Sequence, residues 1–182
     1  MEQFPSKLAG AFHKYAIKDR PYSEILKLEK QAVEEGFTER ERKFMKKVMA
    51  LDVGFKRIGV ALSDPLRLTA SPYKVIERKS NKETFGELLS IIKEKSVSDV
   101  VVGIPVNSEG KKTKIGEKIE KFAEKFKKFL EDEGVEVKFH FVDESYSTLE
   151  AKELMRSLGK ERETVDDVAA ALILKEWLER ER

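Results

Sequence analysis

The chain contains no cysteine. Disulfides, thiolate nucleophiles, zinc ribbons and iron–sulfur clusters are excluded together. Histidine is nearly absent as well: His13 and His140 are the whole supply. A histidine-rich metal site or a Ser-His-Asp triad is therefore all but ruled out, and any catalysis must fall to carboxylates. A dominant sign of charge is also missing, because 36 Lys and Arg against 34 Asp and Glu leave only +2. No apolar run approaches the roughly 18 residues needed to span a bilayer. The opening stretch, MEQFPSKLAGAFHKY, lacks the apolar centre of a signal peptide. A cytoplasmic protein with no membrane partner is expected.

What is present is charge of both signs. Charged residues make up 38% of the 182, well above the roughly 25% of ordinary globular chains, and the 40% hydrophobic content can build one real core. Mixed, Lys/Glu-rich surfaces of this kind are common in proteins built for high temperature.

Two textures divide the chain. Residues 1–47 carry 11 Lys and Arg and 8 Asp and Glu with no strand-like run. Ile25, Leu28 and Ala32 share one helical face, Gly36 can end that helix, and Thr38 can cap a second. A helical N-terminal extension is expected, either packing on the rest or binding a partner. From Val48 the pattern becomes short apolar runs, and 48–182 is expected to be the main domain. Val48–Val53, Arg57–Ser63 and Leu68–Ile76 read as strands joined by short turns, with Pro72 suited to an edge. Phe85, Leu88, Leu89 and Ile92 make a helical stripe. Asp99–Pro105 is a continuous apolar strand of the kind covered on both faces. Ile115, Ile119, Phe122, Phe126 and Phe129 step as a helix closed by Gly134. Val135–Val142 alternates as a fifth strand, and helices are expected from Ser147 to Leu158 and from Thr164 to Glu181. The order βββ-α-β-α-β-α-α predicts an α/β fold: a mixed five-stranded sheet, its first three strands an antiparallel meander, flanked by helices.

Three acids fall where that sheet makes them costly or useful. Asp52 lies within a strand that should be buried on both faces, where a carboxylate needs a lysine, a backbone nest or a metal ion; a structural turn contact explains a lone aspartate near a strand end equally well. Glu144 follows the fifth strand, at the carboxyl end where parallel α/β sheets bind ligands. Its neighbour Asp143 points to the opposite face and is left to pack or cap. Asp166 and Asp167 open the last helix. Thr164 and Asp167 fit a capping box, as do Ser147 and Glu150, which leaves Asp166 free to face the sheet, brought close by Ala169, Ala170 and Ala171. Converging acids with no His or Cys at hand call for a hard cation, Mg2+ or Mn2+, of the kind used to hydrolyse phosphodiesters. Cations that could meet phosphates flank these acids: Lys56 and Arg57 beside Asp52, and Lys111, Lys112 and Lys114 after the Gly103–Gly110 loop. Tyr73 and Tyr146 are candidates for base stacking, whereas most of the 11 Phe fall on core stripes. His140 is expected to have a structural or surface role.

Asp52-Val-Gly-Phe-Lys-Arg-Ile-Gly-Val-Ala-Leu-Ser-Asp-Pro, Val101-Val-Gly-Ile-Pro…Gly110, Asp143-Glu144 and Val165-Asp-Asp-Val-Ala-Ala-Ala-Leu-Ile-Leu, in that order, resemble the YqgF (RuvX) family. These are small nucleases of ribonuclease H-like fold, described as Holliday junction resolvases and as nucleases that process the 5′ end of pre-16S ribosomal RNA. The resemblance spans about residues 48–180. It implies an acidic site of Asp52, Glu144 and Asp166, dependence on magnesium or manganese, and a nucleic-acid partner, pre-rRNA within a ribosomal precursor or branched DNA. The family pattern Asp-Glu-Arg-Leu-Thr-Thr is here Asp143-Glu-Ser-Tyr-Ser-Thr148, so Ser145 stands where an arginine is usual. The fourth acid common on the middle strand of the wider superfamily is absent from Val100-Val-Val-Gly. Asp52-Val-Gly also resembles the first phosphate loop of actin-type ATPases, but those need two such domains and a second glycine-rich loop, for which this chain has no room.

Overall fold

Alternation of apolar residues drives the first three strands, and the computed structural model places them as β1 (Lys47–Val53), β2 (Arg57–Ser63) and β3 (Ala70–Glu77). It describes residues 27, 30–36, 46–65, 67–144 and 165–181. The expected Thr38 cap, the helix from Ser147 and the residues Ser145, Tyr146 and Glu150 lie outside these. After β3 come α1 (Asn81–Lys95), β4 (Val97–Pro105), α2 (Lys114–Asp132), β5 (Lys138–Glu144) and α3 (Val165–Glu181). The sheet order is β3-β2-β1-β4-β5. β1 pairs antiparallel with β2 and β2 with β3, while β4 lies parallel to β1 and β5 parallel to β4. This is the mixed five-stranded sheet, its first three strands an antiparallel meander, that the order of elements predicts.

Both faces of the sheet are covered, as the apolar run of β4 requires. On one face Leu51, Ile58, Val60, Val100 and Val102 pack against Phe85, Leu88 and Ile92 of α1 and Ile119, Phe122 and Phe126 of α2. Phe85 anchors this side, its ring 5.2 Å from those of both Phe122 and Phe126. On the other face Val48, Ala50, Ala61, Val101 and Val142 meet Ala170, Ile173, Leu174 and Trp177 of α3. The small residues Ala170 and Ala171 are buried there, as the expected close approach demands.

Local chemistry sets the ends of the elements. Ser80 accepts from the Glu83 amide and Glu83 returns the bond, a capping box that starts α1. Thr113 caps α2 by accepting from Gly116 N–H at 3.0 Å. Gly36, at φ 83°, ends the helical turn over 30–34.

Three expectations need correction. The third strand starts at Ala70, because the Asp64 carboxylate accepts from the Leu68 and Thr69 amides at 2.7 and 2.8 Å and ties both into the turn. Ile115 is 65% exposed and leaves the α2 stripe, which runs instead through Ile119, Phe122, Ala123, Phe126 and Leu130. β5 starts at Lys138. Val135 is buried but donates its N–H to the Leu130 carbonyl at 2.9 Å, so it closes α2 and is not available to a strand. Pro72 sits on β3, an edge strand, next to a register shift in β2, where its missing N–H costs least.

Candidate active site

Side chains alternate along a strand, so the face that buries Val48 and Ala50 under α3 also carries Asp52. The face that buries Val142 likewise carries Glu144. β4 runs between them. Its register pairs Leu51 with Val102 and Gly103 with Val142, so Gly103 lies between the two acids. The site is tight there: a Cβ would stand 2.7 Å from Glu144 Oε2 and 2.6 Å from Ile173 Cδ1 of α3, so one side-chain end or the other would have to shift. The Glu144 carboxylate is thus laid over β4 and under α3, turned back toward Asp52.

That position has an electrostatic consequence. Burial, then the charges of Asp52 and Glu176, push the Glu144 carboxyl up to about 8. At neutral pH it keeps its proton unless a cation joins it. Glu176, on α3, was not anticipated. It accepts from Arg180 Nη2 one helical turn on, and only the packing of α3 over the sheet brings it near Glu144. Asp143 is exposed on the other side, and its charge acts on Lys112, away from Asp52 as expected.

Two hard oxygen donors, one of them costly to ionise alone, suit a divalent cation. Among the described residues, no group of three or more His, Asp and Glu side chains converges as a metal cluster. The third expected ligand, Asp166, lies in the first turn of α3, and its side chain, with that of Asp167, falls outside the described set.

The expected phosphate contacts ring this end of the sheet. Phe55 and Lys56 form the tip of the β1–β2 hairpin, and Lys56 and Arg57 are exposed. Gly54 donates to the Arg57 carbonyl at 2.8 Å, an approach that leaves no room for a Cβ. Beyond β4, the Val106 amide bonds the Glu144 carbonyl at 3.3 Å and Val106 bridges to Lys112. The Asn107 side chain accepts from the Glu109 and Lys111 amides and shapes the loop between. Lys111 stands 3.7 Å from Glu109, Lys114 is exposed at the start of α2, and Lys112 donates to Glu120. That bond, ahead of the nearby charges of Glu120, Glu117 and Asp143, raises the Lys112 ammonium above its ordinary value. Tyr73 lies elsewhere, its ring 5.7 Å from Lys95 Nζ of α1.

A second polar cluster lies under α3 at the opposite end of β4. Asp99, buried, accepts from Arg67 Nη2 at 2.8 Å and from Ser98 Oγ at 2.6 Å, and pairs with His140 Nε2 at 2.8 Å. His140 also packs on Trp177, ring centroids 4.7 Å apart, a structural role as expected. Arg67, itself buried, adopts φ 57°, the left-handed region that few arginines enter.

The family profile described as "RuvX: Holliday junction resolvase" matches residues 46–180. The chain belongs to the RuvX family. Proteins named "Putative pre-16S rRNA nuclease" align along most of their length. The one from Clostridioides difficile is 40% identical over 137 residues, covering 73% of this chain and 94% of its own. The one from Maridesulfovibrio salexigens is 36% identical over 138 residues, covering 74% and 98%. Among solved structures, Thermus thermophilus RuvC is similar at TM-score 0.45 and 15% identity, covering 74% of this chain and 95% of that one. Membership makes this RuvX chain a nuclease acting on nucleic acid. Among its described residues, no helix is long and apolar enough to cross a membrane.

Proposed function

We propose that this RuvX chain is a metal-dependent phosphodiester hydrolase that processes the 5′ end of pre-16S rRNA during ribosome biogenesis. In this reading the nuclease is the domain over 48–182, its first strand opening at Lys47, and the residues before it are an extension to it. The observation that carries the reading is the apposition of Asp52 and Glu144 on one face of the sheet, with Gly103 making room and the Glu144 carboxyl pushed up to about 8.

Asp52, Glu144 and Asp166 would hold Mg2+ or Mn2+. When bound, such an ion supplies positive charge to the phosphate and acidifies a bound water. Everything else falls to the chain. Asp52 is fixed by the β1–β2 hairpin. Glu144 is laid over Gly103 and under α3, and at neutral pH it gives up its proton as positive charge arrives. Lys56, Arg57, Lys111 and Lys114 draw the phosphate backbone to the rim, while Lys112 is partly committed to Glu120.

The test is a cleavage assay with Mg2+ and with Mn2+ on a pre-16S rRNA 5′ fragment and on a four-way DNA junction, using the wild type and Asp52→Asn. The reading expects cleavage of the RNA by the wild type and a loss of about a hundredfold or more in the variant. Cleavage of the junction alone would favour the resolvase reading that the family description supports. Equal cleavage by both proteins would remove Asp52 from the chemistry, and no cleavage by either would leave a nucleic-acid-binding protein that kept the fold.

A further inference from the structure

Phe55 is 89% exposed. Leaving a phenyl ring in water forgoes roughly 1.5–3 kcal/mol of burial, and hairpin tips are ordinarily filled by Asn, Asp or Gly. The ring sits at the tip of the β1–β2 hairpin, three residues from Asp52, or about 10 Å of extended chain.

The backbone of the tip is hydrogen-bonded on both sides. Gly54 N–H bonds the Arg57 carbonyl at 2.8 Å, and Arg78 N–H bonds the Lys56 carbonyl at 2.8 Å. The Arg78 side chain reaches the Gly54 carbonyl from Nη1 at 3.0 Å. Its guanidinium lies 4.7 Å over the ring of buried Phe122, which ties the hairpin to the core of the opposite face. A ring carried on a hydrogen-bonded backbone needs little backbone ordering on binding. The residues beside it in the chain are Lys56 and Arg57, both exposed. A protein hot spot would need an apolar surround. A lone ring bordered by cations suits a base carried on a phosphate backbone.

We propose that Phe55 is a stacking platform for an unpaired nucleobase beside the scissile phosphate, so that the enzyme selects single-stranded or splayed nucleotides over continuous duplex. The inference rests on the nuclease reading above and adds the substrate feature that the site recognises. Phe55 is a positioning residue: it touches a base and leaves the reacting atoms to the acids.

The test uses the full chain in chelator, where no cleavage occurs. A short RNA carrying 2-aminopurine is titrated with wild type, Phe55→Ala and Phe55→Trp, once as a single strand and once in a duplex. The ratio of single-strand to duplex affinity should fall about tenfold in Phe55→Ala and be kept in Phe55→Trp. Quenching of the fluorescent base should follow the same order. A ratio within about twofold of wild type in Phe55→Ala, with quenching unchanged, overturns the proposal. Unchanged melting temperatures separate recognition from damage to the fold. Cleavage with Mn2+ is scored in parallel on wild type and Asp52→Asn. A wild type that cleaves while the affinity ratio stays put sinks the stacking role alone; a ratio that falls without any cleavage sinks the nuclease reading alone.

Discussion

Gly103 and Glu144 occupy one another's space: the Glu144 Oε2 atom lies 2.7 Å from where a Cβ on residue 103 would stand. A methyl group there must displace the carboxylate, Ile173, or both. Gly103→Ala is therefore expected to lower turnover at saturating metal at least tenfold, since small misplacements of a reacting group cost that much or more. Overpacking against Ile173 should cost about 1–3 kcal/mol of stability. Turnover measured beside a melting curve checks both. Full activity in Gly103→Ala would mean that the position of Glu144 is unimportant.

The Glu144 carboxyl gives the metal-free protein a particular pH dependence. Its value in the unfolded chain is near 4.5 and in the fold about 8, so between those values the folded state holds more protons. The contribution to stability is present below 4.5, declines as pH rises, and is gone above about 8. In chelator, wild type should lose stability across that window, while Glu144→Gln should not and should melt several degrees higher at the alkaline end. Adding Mg2+ should raise the melting temperature of wild type and leave Glu144→Gln little changed.

Asp99 works in the opposite direction. Burial alone would raise its carboxyl, but the bond with His140, the Arg67 charge and the bonds from Ser98 and Arg67 outweigh that and hold it well below the ordinary carboxylate range. Its contribution is present above the ordinary value near 3.8 and lost as pH falls below it. Asp99→Asn leaves Arg67 buried without its counter-charge and should cost about 3 kcal/mol near neutral pH. Acid unfolding should become shallower. Cleavage per folded molecule should be kept, because the cluster lies at the far end of β4 from Glu144. Denaturation curves at two pH values test it.

The rim lysines should be visible in salt. Each phosphate contact contributes about 0.7–0.9 to the slope of log affinity against log salt. Replacing Lys56, Lys111 and Lys114 by Ala should flatten that slope by about 2 if all three meet phosphates. Lys112→Ala should change it less, since that ammonium donates to Glu120. Equal slopes for the triple variant and wild type would place the nucleic acid on another surface.

The layout of the sheet was readable because it rests on periodicity. The unbroken apolar run of β4 and the stepping of Ile119, Phe122 and Phe126 report burial directly. Asp52 and Glu144 stood out as acids at strand ends. What periodicity does not report is which charges are tied locally or reached through the fold. The Asp64 carboxylate that delays β3, the burial of Arg67 against Asp99, and the approach of Glu176 to Glu144 all depend on partners far away in the chain or on turn geometry. Phe55 was hidden for a related reason: phenylalanine is ordinarily a core residue, and only the two-residue hairpin turn shows that its ring points into water. Ile115 erred the other way, in step with its helix by spacing but beyond the edge of what the sheet covers.

The central claim is that Asp52, Glu144 and Asp166 together bind a divalent ion. A crystal soaked in Mn2+, with data collected at the manganese absorption edge, tests it most directly. The account expects an anomalous peak within coordinating distance, about 2.0–2.3 Å, of oxygens from all three side chains, and no peak there in Asp52→Asn. Three carboxylates turned apart, each satisfied by its own basic or amide neighbour with no peak between them, would contradict it.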